Sequence, residues 1–181
     1  MKVALHICCA VCAAGAVERL MQEGHQVFGL YYNPNIHPEE EYRRRLEASR
    51  KVAGELGFCL IEGLYIPEDW HHNVASLENE PEGGKRCPVC FKMRLDKAYQ
   101  FMLESGYDTF ASTLTMGSNK PGDLICRLGR EIGGEKFLDR DFKKKEGFKR
   151  ASELAREWEL YRQNYCGCIY SLKERDERKV R

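Results

Sequence analysis

The chain has 181 residues, of which 43% are hydrophobic and 31% charged, and a formal net charge of +1. That length suits one α/β domain with a proper core, and the near-neutral charge excludes nucleic-acid binding through the overall field, leaving only a local patch. No apolar run approaches membrane-spanning length and no signal-peptide pattern opens the chain, so a cytoplasmic protein with no membrane partner is expected.

Val3 to Ile7 reads as a buried first strand, and Ala13 to Met21 carries small and apolar residues at helical spacing. Between them, Cys8, Cys9 and Cys12 occupy a strand-to-helix turn, the place where nucleotide-binding α/β folds cradle an anion. The glycine pattern of a phosphate loop is absent and thiols stand in its place. A thiolate-held metal cluster is itself an anion, which a helix N-terminus favours. Gln26 to Tyr32 is predicted as the second strand, ended by the turn signal Asn33-Pro34-Asn35. A long helix follows from Pro38 to Gly57, acidic first and then bearing Arg43, Arg44 and Arg45, in accord with the helix dipole. Phe58 to Ile61 is the third strand and Pro67 to Leu77 a short helix. The polar loop Glu78 to Arg86 delivers Cys87 and Cys90 to the start of a helix that runs on from Phe91 to Met102. Tyr107 to Thr115 is the fourth strand, Met116 to Lys120 the loop after it, Gly122 to Ile132 a helix, and Lys136 to Leu138 a short fifth strand. Phe148 to Tyr161 is a final amphipathic helix leading into Cys166-Gly167-Cys168. Residues 1–172 are expected to form a single domain, with 173–181 a charged tail, either a solvated helix end or disordered.

Strands separated by helices imply an α/β fold with a parallel, Rossmann-like sheet covered on both faces. With strand order 3-2-1-4-5, the chain changes direction across the sheet between the first and fourth strands, where such folds bind ligands. The loops there are Cys8 to Cys12 and Met116 to Lys120, so the fold and the cysteine pattern choose the same place.

Nine cysteines in a reducing compartment argue for metal or redox chemistry over a disulfide framework. Cys9, Cys12, Cys87 and Cys90 make four thiolates, the complement of an iron–sulfur cubane or a tetrahedral zinc, and Cys8 is a surplus that favours a functional site. Cys166-Gly167-Cys168 can close as a strained, easily reduced disulfide or lend a thiol to a metal. Cys59 and Cys126 lie in apolar-flanked stretches and read as packing residues. Arg140, Lys143, Lys144, Lys145, Lys149 and Arg150, interleaved with Phe142 and Phe148, form either a phosphate-contacting surface or a solvated face. Lys85, Arg86, Lys92 and Arg94 can extend that surface. Tyr31, Tyr32 and Tyr165 sit at predicted element ends, where they either stack on an exposed base or belong to the core. His6 reads as a satisfied core histidine; His37 fits either role.

These residues resemble the QueH-type epoxyqueuosine reductases. The matching pieces are Leu-His-Ile-Cys-Cys-Ala-x-Cys at the start, Tyr-Asn-Pro-Asn-Ile-His-Pro after the second strand, and Cys-Pro-x-Cys-x-x-x-Arg-Leu. Ser-Thr-Leu-Thr, Asp-Phe-Lys-Lys-x-x-Gly and the run from Arg162 to Leu172 complete the set. The resemblance implies an adenine-nucleotide-hydrolase-like fold and the reductive deoxygenation of epoxyqueuosine to queuosine at the wobble position of tRNA, the last step of queuosine synthesis. It also implies a [4Fe-4S] cluster, a further mononuclear iron or redox thiols nearby, and an electron donor. Some members carry aspartate at the position of Cys12, so the choice of ligand among Cys8, Cys9 and Cys12 stays open. On this reading Cys8, Cys166 and Cys168 serve the second redox or metal site. Tyr31, Asn33, Thr115, Ser118 and Asn119 contact the modified nucleoside, while Lys143 and Lys149 contact tRNA phosphates. Two other classes compete with this reading. A zinc-stabilised tRNA-binding module would use the same thiols without catalysis. An ATP-using tRNA thiolase is disfavoured, because no Ser-Gly-Gly-x-Asp-Ser loop follows the first strand.

Overall fold

The computed structural model describes residues 1–117 and 120–180, with side chains through residue 178. Four short strands, β1 (Lys2–His6), β2 (Gln26–Tyr31), β3 (Cys59–Glu62) and β4 (Thr109–Ser112), form an all-parallel sheet in the order β3-β2-β1-β4. β1 is central and every residue after Lys2 is buried, which is why it reads as a continuous apolar run with no alternation.

Helix α1 (Ala10–Gln22) returns the chain from β1 to β2, and α2 (Glu39–Leu56) from β2 to β3. Then α3 (Pro67–Asn73) and α4 (Arg86–Glu104) carry the chain back past β1 to β4. Right-handed crossovers put helices that lead in opposite directions on opposite faces. Accordingly α1 packs against α2 and against α6 (Gly147–Glu157), while α4 packs against β1, β4 and α5 (Gly122–Gly133). The α1–α6 approach depends on small side chains: a Cβ on Gly15 would stand 2.8 Å from that of Ala151. The first turn of α2 places Glu39, Glu40 and Glu41 each four residues before an arginine, giving three ion pairs along the helix. A last helix, α7 (Ile169–Val180), makes the charged tail a helix end.

The expected fifth strand shrinks to one parallel bridge, Phe137 to Phe110, with the Leu138 amide donating to the Phe110 carbonyl at 2.8 Å. Only Phe137 and Leu138 are apolar there, between a 3-10 turn (Gly134–Lys136) and exposed Asp139 and Arg140, too few to extend a strand. β4 also stops earlier than expected. The Ser112 hydroxyl accepts from the Leu114 amide at 3.2 Å and turns Thr113–Met116 into a 3-10 helix. No helix among the described residues is long and apolar enough to cross a membrane.

Candidate active site

Because β2 and β3 lie to one side of β1 and β4 to the other, the loops after β1 and β4 diverge and leave a crevice at the carboxyl end of the sheet. The two loops meet through Thr113. Its hydroxyl accepts from the Cys8 amide at 3.0 Å and donates to the Cys8 sulfur at 3.3 Å. Cys9 is the extended residue just ahead of α1, and Cys12 lies in the helix's first turn. The Sγ atoms of Cys8, Cys9 and Cys12 all fall within 4.8 Å of one another, a buried group that could hold a metal ion. Tetrahedral thiolates with metal–sulfur bonds of about 2.3 Å stand about 3.8 Å apart, a separation that falls inside this bound.

The triad shares its protons unequally. Hydrogen bonds from the Cys12 and Cys9 thiols, helped by Lys120 against the cost of burial, hold Cys8 well below the usual thiol range. For Cys9, the Cys12 hydrogen bond acts downward, but donation to Cys8 and burial outweigh it and push Cys9 up to about 11. Donation to Cys8 and to Cys9, with burial, pushes Cys12 well up. The Lys120 ammonium lies 4.0 Å from the Cys8 sulfur.

Cys87 and Cys90 lie in the first turn of α4. The Gly83 amide donates to the Cys87 sulfur at 3.2 Å. Cys90 shares a small buried cluster with Trp70, Val74 and Cys168, so the α4 pair is met by the thiol from the start of α7. Cys166, half-buried, is raised to about 11 by burial, opposed by Lys120 and Arg94. Between the groups stands Arg94, 2% exposed, donating to the Cys90 carbonyl at 3.0 Å and the Cys90 sulfur at 3.3 Å. Burial opposes its charge, but the sulfurs of Cys90, Cys166, Cys8 and Cys87 more than offset it, and its pKa is raised. Lys120 likewise overcomes burial through Cys8, Cys166 and Cys12. Seven thiols served by two cations fit a thiolate-bound cluster, whose net charge is negative and whose ligands must be deprotonated.

The structure brings the three cysteine groups to one region but divides them. Cys8, Cys9 and Cys12 form one knot, and Cys87 and Cys90 lie with Cys166 and Cys168. Other expected contacts serve as scaffold. Tyr31 is wholly buried with its hydroxyl donating to the Tyr42 carbonyl at 3.2 Å, so its ring belongs to the core. Asn33, also buried, donates to the Ile7 carbonyl at 2.8 Å and steadies the turn from behind. Thr115 donates to the Arg140 carbonyl and accepts from the Phe142 amide. Lys143 donates to the carbonyls of Gly117 and Lys120 at 3.4 and 3.2 Å. Lys149 is exposed and paired with Glu146. Ser118 and Asn119 lie outside the described residues.

Arg86 and Arg94, expected to widen a basic surface, are buried instead, because both face inward from α4. Cys59 is exposed, since β3 is an edge strand and the residue lies at its first position. His6 is a core residue, its two ring nitrogens bonded to the Ser112 hydroxyl and the Tyr32 carbonyl; burial, then Arg94, lower its pKa to about 3 and keep it neutral. From the sequence alone, Thr113 and the Glu41–Arg45 pair had no site role, Lys120 was named only as part of a loop, and Arg94 was offered only for a basic surface. For Arg94 a signal existed, its position four residues after Cys90 on one helix face.

Fold and site together define a parallel α/β protein that presents metal-competent thiols where its nucleotide-binding counterparts present a phosphate loop. The family model described as "Epoxyqueuosine reductase QueH" matches residues 3–174. The chain is 38% identical to the epoxyqueuosine reductase QueH of Streptococcus pyogenes, over 95% of this chain and 71% of the relative. It is 37% identical to that of Dehalococcoides mccartyi, over 96% and 94%, and 33% identical to that of Thermotoga maritima, over 97% and 93%. The chain belongs to the QueH family of epoxyqueuosine reductases, which are oxidoreductases.

Proposed function

We propose that the chain reduces epoxyqueuosine to queuosine at the wobble position of tRNA, in the cytoplasm, with a [4Fe-4S] cluster and a second iron or thiol site. The observation that carries this reading is the convergence of three cysteine groups, distant in sequence, around Arg94 and Lys120. Turning an epoxide into an alkene takes two electrons and two protons and releases one water. When bound, the cluster supplies electrons singly and the second iron supplies Lewis acidity.

The chain's own residues hold and enclose that chemistry. Cys87 and Cys90 ligate the cluster, joined by thiolates of the first group, Cys9 and Cys12. The surplus thiol Cys8, with Cys166 and Cys168, serves the second site, as iron ligands or as a redox pair. Arg94 balances the thiolate charge, and buried Thr113 fixes where Cys8 points. Exposed Lys149 and its neighbours meet tRNA phosphates.

The test is turnover. Anaerobically purified protein, given a low-potential one-electron donor and tRNA carrying epoxyqueuosine, is expected to yield queuosine by nucleoside mass spectrometry. Iron-free protein that binds this tRNA without converting it would replace this reading with a zinc-stabilised binding module.

A further inference from the structure

The geometry points to Lys120 as a catalytic residue whose ammonium receives the epoxide oxygen as it leaves carbon, a role that rests on the functional reading above. A cavity of about 470 Å³ reaches the thiol centre, lined among others by Gly117, Lys120, Tyr165, Cys166 and Arg175. Its size is that of a site for a small organic ligand. Two cations serve the thiols, and they face differently. Arg94 is buried and turned onto Cys90. Lys120 lines the cavity and stands 4.0 Å from the Cys8 sulfur, so it touches both the thiol centre and the space a substrate would fill.

The backbone of Lys120 is held by Lys143, which donates to its carbonyl and to that of Gly117. Among the described residues no carboxylate stands within ion-pairing distance of the Lys120 ammonium, and its opposite charges are sulfurs. Held beside the thiols and open to the cavity, this cation is already in place for the further negative charge that develops on the epoxide oxygen during reaction. Both C–O bonds of the epoxide break and a carbon–carbon double bond forms. Two electrons come from the one-electron donor, two protons come from solvent, and the oxygen departs as water. Lys120 is an ammonium before and after, and its work is to stabilise the oxygen while its charge is negative.

The experiment compares wild type, Lys120→Met and Lys120→Arg with dithionite as reductant, reading turnover, tRNA affinity, iron content and visible absorption. Lys120→Met is expected to lose on the order of 100-fold in kcat, with tRNA affinity and iron unchanged, and Lys120→Arg to recover about 10-fold of the loss. Full turnover by Lys120→Met beside an active wild type overturns this role alone. Loss of iron in Lys120→Met also overturns it, making the lysine a counter-charge for the thiolates. Wild-type protein inactive on this tRNA overturns the functional reading and this role with it.

Discussion

Cys8, Cys9 and Cys12 are placed by the start of a helix at the centre of the sheet, whereas the turn of Cys166 and Cys168 is placed largely by a buried arginine reaching across from α2. The first group sits where β1 becomes α1. Its positions follow from the helix start, from the Ala13 amide donating to the Cys9 carbonyl at 3.0 Å, and from the bond between Cys8 and Thr113. The second group belongs to a turn with no sheet of its own. Arg45 donates to the carbonyls of Cys166 and Tyr165 at 2.9 and 3.1 Å, and the His37 amide donates to the Gly167 carbonyl at 2.8 Å. Arg45 is in turn aimed by Glu41 at 2.7 Å, whose other oxygen accepts from the Tyr161 hydroxyl at 2.6 Å. Thiols built into the first crossover come with the fold. Thiols of the last turn are placed by contacts from other elements, chief among them one buried ion pair.

The largest effect expected from this difference is at Arg45. Arg45→Met leaves Glu41 buried without its partner and should cost about 3–5 kcal/mol in denaturant unfolding. Adding Glu41→Leu should restore most of that stability, because an apolar pair of similar volume replaces a buried ion pair at little cost. The double variant should still free the last turn, seen as faster alkylation of Cys166 and Cys168 in metal-free protein while Cys8, Cys9 and Cys12 keep their rates. Equal acceleration at both groups would mean that the two turns are not held independently.

Gly167→Ala comes next. Gly167 has φ of 132°, and a Cβ there would stand 3.1 Å from Arg45 Nη1 and from Ile36 Cγ1. The expected loss is about 1–3 kcal/mol, confined to the last turn. Wild-type stability in this variant would show that the turn has room to rearrange. Thr113→Val is the smallest. It removes the hydroxyl that bonds the Cys8 amide and sulfur and should cost about 1 kcal/mol, since the rest of the crossover still fixes the backbone. Unfolding as deep as that of Arg45→Met would reverse the comparison.

The alternation of strands and helices carried the parallel sheet and its switch point, because a crossover needs a helix and leaves few ways to order the strands. The thiols of Cys8 to Cys12 and of Cys87 and Cys90 were legible for the same reason, each group being tied to a helix start. Burial of individual cations was not. Arg43, Arg44 and Arg45 are adjacent and each has an acidic partner four residues before it, yet only Arg45 lies on the face of α2 that is buried with Tyr42, Leu46, Ser49 and Val52. The carbonyls it serves belong to a turn more than 100 residues away. Tyr31 at a strand end looked as ready to meet a base as to fill the core; its ring packs against Tyr42 beneath the sheet's carboxyl end. Lys120 could be named only as part of a loop, since its nearness to Cys8 joins positions more than 100 residues apart.

Iron bound per chain, with the visible spectrum, tests most directly whether these thiols build one iron–sulfur centre. Anaerobically purified wild type should carry about four or more irons per chain and a broad absorption that bleaches on reduction, and Cys87→Ala or Cys90→Ala should lose most of both. Full iron retention in both variants, or zinc in place of iron in the wild type, would contradict the account.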